Sequence, residues 1–440
     1  MRSSPALVGL ALVATAACAG RPTPLVRPHP RPAPTEVRAL WVVRRTLVHP
    51  DGVKAMVRRA HDAGFNTLIV QVRGAGDAWY DSRWEPRSQA LAARPHFDPL
   101  ALTIAEAHKR GMAVHAWLNT VYLASMDQPP SDPGAFYNQH PELLAVPYPI
   151  ARELYAMDPR DTLYRRKLLD WSKTARDRVE GVYASAAAPE VKEHLYSVWM
   201  DVLDKYDVDG LNFDYVRYPA PEYDYSRVAL DAFRRWLQPH LPDSVRQRYG
   251  ALEKTDPLVW ADSLPAAYAD FRRQQVTDVV ERIYYGVKKR APDVVVSADV
   301  FGNATDAYEH RYQDWLGWLR RGILDVAAPM AYARETDVFR EQIRHGGAEG
   351  GLVHAHRAGR DHDAVDGVLL DVVDDELLAG VRAHEHEARR HLDARIIGQL
   401  RGNLLDVDDV ADVAAAVADV DSDSDLLAHR AAPAATCASR

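Results

Sequence analysis

The chain has few cysteines and no excess of positive charge. Only Cys18 and Cys437 occur among its 440 residues, so a disulfide framework is excluded. The formal net charge is −8, which argues against a nucleic-acid partner, because such a partner favours a basic face. It also argues against a charge-driven attachment to anionic membranes. The composition, 47% hydrophobic and 26% charged, is ordinary for one large globular domain.

Long apolar runs are also lacking. The run that ends at Cys18 is too short to span a bilayer and predicts a secretory signal over residues 1–18. Residues 15–18 resemble a bacterial lipobox, whose cysteine becomes a lipidated N-terminus; Thr15 stands where Leu is usual, so plain signal cleavage is the alternative. The Pro-rich segment 19–35 predicts an extended spacer. We therefore expect an exported cell-envelope protein that contacts the membrane only through its lipid anchor.

Short apolar segments alternate with amphipathic ones from Glu36 onward, which predicts a parallel sheet covered by helices. A doubly wound sheet would carry a Gly-rich phosphate turn after its first strand, and none follows Val43. The pattern and its long polar loops therefore predict an α/β fold, a (β/α)8 barrel of the TIM type, over residues 36–350. The predicted strands are 38–43, 66–72, 113–118, 209–215, 294–300 and 324–331, and the predicted helices are 51–63, 98–110, 190–206, 226–239, 265–290 and 309–321.

Aromatic residues are absent from segment 351–440, as are Lys and Met. All 38 aromatic residues of the chain precede it, and the segment is rich in Asp, Val, Ala and His. Two interpretations stay open: an acidic, Ala-rich disordered tail, or a native ending replaced through an altered reading frame. Under the second, the closure of the barrel at its C-terminal end would be incomplete or aberrant.

Polar side chains recur near the C-terminal ends of the predicted strands, where barrel enzymes carry their catalytic groups. Alternation along a strand gives Asn212 and Asp214 the parity that points into the barrel, whereas Leu211 and Phe213 point to the helices. The same reasoning on the other strands and on the loops after them yields a set of candidate residues. Its other members are Gln71, Arg73, Asp77, His115, Trp117, Asn119, Arg217, Tyr218, Asp299 and Tyr332.

The carboxylates of this set predict the chemistry of glycoside hydrolysis. Two carboxyl groups serve as acid, base or nucleophile around an oxocarbenium-like transition state. Asp214 is the predicted nucleophile or transition-state stabiliser, because Arg217 could keep it ionised. Asp299 is the predicted partner, since it ends the next strand with the same parity, and Asp77 and Glu335 are the reserves.

Aromatic residues are dense in segments 77–84 and 215–225, which we expect to be exposed along an open saccharide cleft. Aromatic faces stack on pyranose rings, while amides and guanidinium groups bind hydroxyls. The candidate residues other than the two carboxylates are therefore predicted to bind a polysaccharide substrate.

Four ordered segments resemble successive motifs of the glycosyl-hydrolase-like lipoprotein family, the tenth of its series. They read FNTLIVQVRGAGDAWYDSRWEP, VHAWLN, YDVDGLNFDYVRYP and DVAAPMAY. The resemblance covers about residues 36–335 and implies a barrel, an exported location and a cell-wall-type glycan substrate. The family includes an outer-membrane lipoprotein that cuts peptidoglycan glycan strands lacking stem peptides. Family members usually carry a second acid directly after the position of Asp214, where this chain has Tyr215.

Two rival functions remain. His354 and His356 resemble the His-x-His pair of metal-dependent barrels, but that pair belongs on the first strand and here lies in the atypical segment. We therefore expect neither a metal nor another cofactor. The second rival is a non-catalytic glycan-binding barrel, which the missing acid at Tyr215 allows. A second carboxylate within catalytic range of Asp214 would favour the enzyme.

Overall fold

The computed structural model of the chain describes residues 36–332 and 334–340. The predicted signal, the Pro-rich spacer and segment 351–440 lie outside the described residues, and so do Cys18 and the His354 pair. Within the described part, no helix has both the length and the apolar character that a membrane crossing requires.

A parallel sheet of six strands forms the centre of the fold. The strands are β1 (Ala39–Val42), β2 (Thr67–Arg73), β3 (Ala113–Asn119), β4 (Tyr122–Ser125), β5 (Gly181–Tyr183), β6 (Gly210–Asp214), β7 (Val295–Phe301) and β8 (Val326–Met330). The order in the sheet is β1-β2-β3-β6-β7-β8, and a separate antiparallel ribbon pairs β4 with β5. The six sheet strands are the six predicted from the sequence, and the α/β fold class of the barrel type is confirmed.

Helices follow the strands. They are α1 (Pro50–Asp62), α2 (Pro99–His108), α3 (Phe136–Gln139), α4 (Tyr148–Ala156), α5 (Thr162–Thr174), α6 (Pro189–Lys205), α7 (Arg227–Leu237), α8 (Asp243–Leu252), α9 (Val259–Ser263), α10 (Pro265–Arg290), α11 (Ala304–His310) and α12 (Trp315–Arg320). Several of them, among them α2 and α6, pack against the sheet. Capping side chains fix several of their starts; Asp98 accepts from the Ala101 N–H at the head of α2, directly before a proline. Outward-pointing residues of the strands pack on these helices, as Phe213 stacks on Trp199 of α6 at 5.4 Å.

The sheet is curled into a half-barrel. The Trp41 indole N–H on β1 donates to Oδ1 of Asp299 on β7 over 3.2 Å. In the sheet order four strand spacings separate β1 from β7, about 19 Å in a flat sheet at roughly 4.8 Å per spacing, too far for two side chains. The inward face of the sheet is therefore concave, and side chains from distant strands meet inside it.

Several features differ from the sequence prediction. The helices α3, α4, α5, α8 and α9 were not predicted. The β4–β5 ribbon was not predicted, because its strands have only four and three residues. The predicted helix over 309–321 is two short helices, α11 and α12, with Tyr312 between them at a φ of +53°. A residue in the left-handed region interrupts the hydrogen-bond ladder of a helix, so the chain turns here.

Candidate active site

Asp214 and Asp299 lie side by side on neighbouring strands. Phe213 on β6 pairs with Ala298 on β7, so the next pair in the register joins the two aspartates. Both point into the half-barrel from the C-terminal ends of their strands, and they are only 7% and 5% exposed. The position predicted from strand parity is therefore found for both residues.

Asp214 accepts hydrogen bonds from three donors. The Tyr215 backbone N–H lies 2.6 Å from Oδ1, the Trp117 indole nitrogen 3.2 Å from Oδ2, and an Arg217 guanidinium nitrogen 3.3 Å from Oδ1. Burial raises the pKa of the Asp214 carboxyl above its ordinary value, while the Arg217 charge and these donors oppose that rise. These contacts favour the ionised form of Asp214.

In the described part of the chain, Asp299 accepts hydrogen bonds from two side chains, and Arg217 acts on it only through its charge. The Asp299 Oδ2 accepts from the Asn212 amide at 3.0 Å, and Ser297 in turn donates to the Asn212 carbonyl at 2.7 Å. Burial, followed by the charge of Asp214, raises the pKa of the Asp299 carboxyl well above its usual range. When the pair shares one proton, that proton belongs on Asp299.

Arg217 packs against two aromatic rings. Its guanidinium carbon lies 4.4 Å from the centre of the Tyr215 ring and 5.1 Å from that of Phe301. The contact with Asp214 uses one nitrogen of a side chain that is 8% exposed. Guanidinium groups carry five N–H donors in one plane, so donors remain for a ligand beside the carboxylate pair.

Amide groups continue the site across β2 and β3. The Asn119 side-chain oxygen accepts from Trp117 at 3.0 Å and from Gln71 at 3.4 Å. The Gln71 oxygen accepts from the Arg44 guanidinium at 2.9 Å. The rim therefore offers an indole, two amides and a second cation next to Asp214.

Tyr332, which follows β8, completes the site on the opposite side. It is 62% exposed. Partial desolvation and the charges of Asp299 and Asp214 raise the pKa of its hydroxyl to about 12, which places that hydroxyl within electrostatic reach of the carboxylate pair. The hydroxyl is therefore a proton-bearing group at neutral pH, suited to bind a sugar oxygen.

Comparison with known proteins agrees with this geometry. The profile of a family described as Glycosyl hydrolase-like 10 matches residues 36–348. The chain belongs to this family. It is 26% identical over 287 residues to the glycosyl hydrolase DigH of Escherichia coli K12, covering 61% of this chain and 55% of DigH. It is 26% identical over 331 residues to the glycosyl hydrolase YngK of Bacillus subtilis, covering 68% of this chain and 54% of YngK.

This glycosyl hydrolase-like chain thus spans about half the length of the curated relatives it matches. The family resemblance deduced from the four motifs is confirmed. Among solved structures, the glycoside hydrolase domain of PgaB from Bordetella bronchiseptica matches with a TM-score of 0.46 and 15% identity, over 84% of this chain and 91% of that domain.

Two predicted substrate-binding residues lie away from the carboxylate pair. Arg73 has no exposed surface; it binds Glu85 through two nitrogens and the Thr120 carbonyl through a third, so it clamps the loops behind the rim. His115 points inward but low in the half-barrel, beside Gly210 at the start of β6. A side-chain carbon at Gly210 would come within 2.5 Å of the imidazole, so the glycine is required there.

Asp77 and Tyr218 have local structural roles in the loops. Asp77 accepts from the Ala75 backbone at 2.9 Å and from the Trp79 indole at 3.0 Å. Tyr218 is 2% exposed and packs edge-on against Tyr312.

The expectation of exposed aromatic density in segments 77–84 and 215–225 is wrong for most of its residues. Trp79, Tyr80 and Tyr223 are at most 3% exposed, whereas Trp84 is 50% exposed. These rings are buried because the loops fold back onto the helices, where a ring removes more apolar surface from water than it would at the rim.

Four residues of the site were not predicted: Trp41, Arg44, Tyr122 and Phe301. Trp41 has inward parity on β1, so the parity argument applied to β1 would have found it. Arg44 lies two residues beyond that strand with the opposite parity, and its position depends on the turn that begins there. Tyr122 stacks on Tyr215 at 4.9 Å, and its position depends on the unpredicted ribbon.

Metal ligands are not gathered at this site. In residues 36–332 and 334–340, no three His, Cys, Asp or Glu side chains are placed to share a metal ion. Asp214 and Asp299 are two carboxylates whose neighbours are N–H donors and a guanidinium, which suits acid–base chemistry.

Proposed function

We propose that this chain is a glycoside hydrolase that cleaves a cell-wall-type polysaccharide, such as the glycan strands of peptidoglycan, by paired-carboxylate catalysis. The observation that carries the proposal is the buried pair of Asp214 and Asp299. Burial raises the pKa of both carboxyls, but Arg217 and the Tyr215 N–H oppose that rise at Asp214, whereas the charge of Asp214 adds to it at Asp299. Such a division between two carboxyl groups is what acid and nucleophile assignments require.

The two roles follow from the contacts. Asp214, beside the Arg217 cation and the Tyr215 N–H, acts as the ionised nucleophile or stabilises the positive charge that develops on the sugar. Asp299 holds its proton and delivers it to the leaving oxygen. Trp117, Asn119 and Tyr332 bind the sugar on either side.

The polysaccharide class is supported by the family and by the character of the rim. The relatives DigH and YngK are both named glycosyl hydrolases. A half-barrel rim that presents indole, amide, guanidinium and phenol groups around two carboxylates fits a ring with several hydroxyl groups.

Replacement of Asp214 tests the proposal. The Asp214→Asn variant should lose turnover by roughly 10²–10⁴-fold, because the amide cannot carry the negative charge, while glycan binding is retained. Purified full chain and variant would be incubated with peptide-free and peptide-bearing glycan strands, and the products analysed by mass spectrometry. Asp201→Asn is the matched control, since Asp201 is a 1%-exposed aspartate on α6 that pairs with Arg83, away from the carboxylate pair.

The outcomes separate enzyme from binding protein. Wild-type cleavage by Asp214→Asn at an unchanged melting temperature would show that the pair is not catalytic. Binding without cleavage by the wild type would assign a non-catalytic glycan-binding barrel, the rival that Tyr215 in place of the family acid allows.

We also propose that the protein is exported and anchored to the cell envelope through a lipid on Cys18. The support is the lipobox-like segment 15–18 and the Pro-rich spacer after it. Cys18→Ala should release the protein from the membrane fraction and abolish incorporation of labelled palmitate in a bacterial host. A soluble, unlabelled wild type would instead indicate plain signal cleavage.

A further inference from the structure

Strands β6 and β7 separate directly beyond the carboxylate pair. If the parallel ladder continued, the Tyr215 N–H would donate to the Asp299 carbonyl, and the Tyr215 carbonyl would accept from the Phe301 N–H. Neither bond forms. The Tyr215 N–H bonds the Asp214 carboxylate at 2.6 Å instead, and its carbonyl accepts from Val121 at 3.3 Å.

The turn at Tyr215 causes this separation. Its φ is +50°, in the left-handed region that a bulky aromatic rarely adopts. The turn directs one peptide N–H at Asp214 and leaves two backbone groups of β7 without their partner strand. Buried backbone groups without partners are costly, so another group must bind them.

Gln313 binds both. Its side-chain Nε2 donates to the Asp299 carbonyl at 3.2 Å, and its Oε1 accepts from the Phe301 N–H at 3.0 Å. The side-chain amide thus reproduces the peptide group that Tyr215 would have presented. Gln313 has no exposed surface, and its own N–H is bonded to the Ala307 carbonyl at 2.9 Å in the turn between α11 and α12.

We propose that Gln313 is a positioning residue, which holds the end of β7 and thereby fixes the Asp299 carboxyl against Asp214. The inference rests on the proposed function of the pair, and Gln313 acts through Asp299 without touching the reacting sugar. As a consequence, the Tyr215 N–H is free to bind the Asp214 carboxylate, and the Gln313 amide makes the two hydrogen bonds to β7 that the Tyr215 backbone would have made.

Two substitutions test this role in the full chain. Gln313→Leu removes both bonds and should lower kcat by about 10-fold or more with little change in KM, since misplacement of a catalytic group raises the barrier. Gln313→Glu can make both bonds only when its carboxyl is protonated. Its activity relative to wild type should therefore be highest in acid and fall as the pH rises, which a purely structural defect would not produce in folded protein.

Gln275→Leu is the matched control. Gln275 is a buried glutamine on α10, 8% exposed, whose amide bonds Lys192 and the Phe271 carbonyl away from the carboxylate pair. Its loss should leave the pH profile unchanged. Circular dichroism at the assay temperature would verify that all variants are folded.

A second measurement does not depend on catalysis. The carboxyl carbon of Asp299 can be titrated by NMR in protein labelled at aspartate, with Asp299→Asn assigning the signal. In Gln313→Leu its pKa should fall towards its ordinary value, because the group moves away from the Asp214 charge and gains water. An unchanged titration together with an unchanged pH profile would overturn the positioning role. If the wild type cleaves no glycan, the proposed function fails, and the titration alone decides the role of Gln313.

Discussion

Two aspartates with identical side chains have different environments in this site. Asp214 has a cation and a backbone N–H directed at one oxygen, whereas Asp299 has an amide and an indole and faces the charge of its neighbour. Differences of this kind, and not the residue type, separate the pKa values of two carboxyl groups.

The raised pKa of Asp299 predicts how stability depends on pH. An unfolded aspartate releases its proton near pH 3.9, while folded Asp299 retains it to a much higher pH. Between these two pH values the folded state binds more protons than the unfolded state. The contribution of Asp299 to stability is therefore fully present below about pH 3.9 and is lost as the pH rises towards the folded pKa. Asp299→Asn removes this term.

Comparison of wild type with Asp299→Asn tests the direction of this pH dependence of stability. From about pH 5 to about pH 7 the free energy of unfolding of the variant should gain on that of wild type by roughly 1.4 kcal/mol per pH unit while folded Asp299 stays protonated. Urea denaturation at both pH values measures the difference. A constant difference would mean that folded Asp299 titrates normally.

At this scale strand parity predicted Asp214, Asp299, Asn212, Trp117 and Asn119 correctly as inward residues of the rim. Parity predicts which face of the sheet a side chain occupies. It predicts neither how far along the barrel axis the side chain lies nor which residue it contacts. His115 points to the inward face, yet it lies beside the start of β6, away from the rim. The Arg73 guanidinium is hydrogen-bonded to Glu85, a loop residue 12 positions further along the chain. Those contacts depend on loop conformations that alternation along a strand does not encode.

At the scale of elements, length alone did not decide what was predicted: the four-residue β1 was found, and the 13-residue α5 was not. Strands β2, β3 and β7 each have seven residues with buried outward faces, so their pattern is strong. The β4–β5 ribbon has too few residues to show a period. Its tyrosines nevertheless pack on Tyr215 and so support the turn after Asp214.

The clamp between Arg73 and Glu85 joins the loop after β2 to the rim, and its removal should be strongly destabilising. Both side chains have no exposed surface, the shortest nitrogen–oxygen distance is 2.6 Å, and His194 adds a contact at 3.1 Å. Glu85→Gln leaves the Arg73 charge buried and uncompensated, so the free energy of unfolding should fall by about 3–5 kcal/mol at neutral pH. Urea denaturation measures it.

The pH dependence of this cost follows from Glu85. Burial alone would raise the pKa of its carboxyl, but Arg73 and His194 hold it at about 2. The contribution is therefore present above the ordinary glutamate value near pH 4.3 and is lost as the pH falls towards 2. Asp127→Asn is the control, since the Asp127–Arg176 pair is exposed and its loss should leave the midpoint unchanged. An equal loss in the free energy of unfolding for both variants would show that the buried Arg73–Glu85 pair stabilises the fold no more than an exposed ion pair.

At the scale of the whole molecule, the curl of the sheet brings residues that are far apart in the sequence together in the site. Trp41 and Asp299, which share a hydrogen bond, are 258 positions apart. The alternation of strands and helices predicted that all the strand ends lie at one edge. It could not predict which of them meet across the concave face, because that depends on the curvature, which side-chain packing sets.

The same site predicts that glycan cleavage by the full chain needs no bound metal. In the proposed mechanism the carboxylate pair supplies both the acid and the nucleophile, and the described residues bring no metal-binding cluster together. Treatment with EDTA followed by dialysis should therefore leave the rate of cleavage unchanged. The variant with His354→Ala and His356→Ala, two residues outside the described range, should cleave at the wild-type rate. Loss of cleavage on chelation that zinc restores would contradict the carboxylate mechanism, and loss in the His354 variant would locate the metal at that pair.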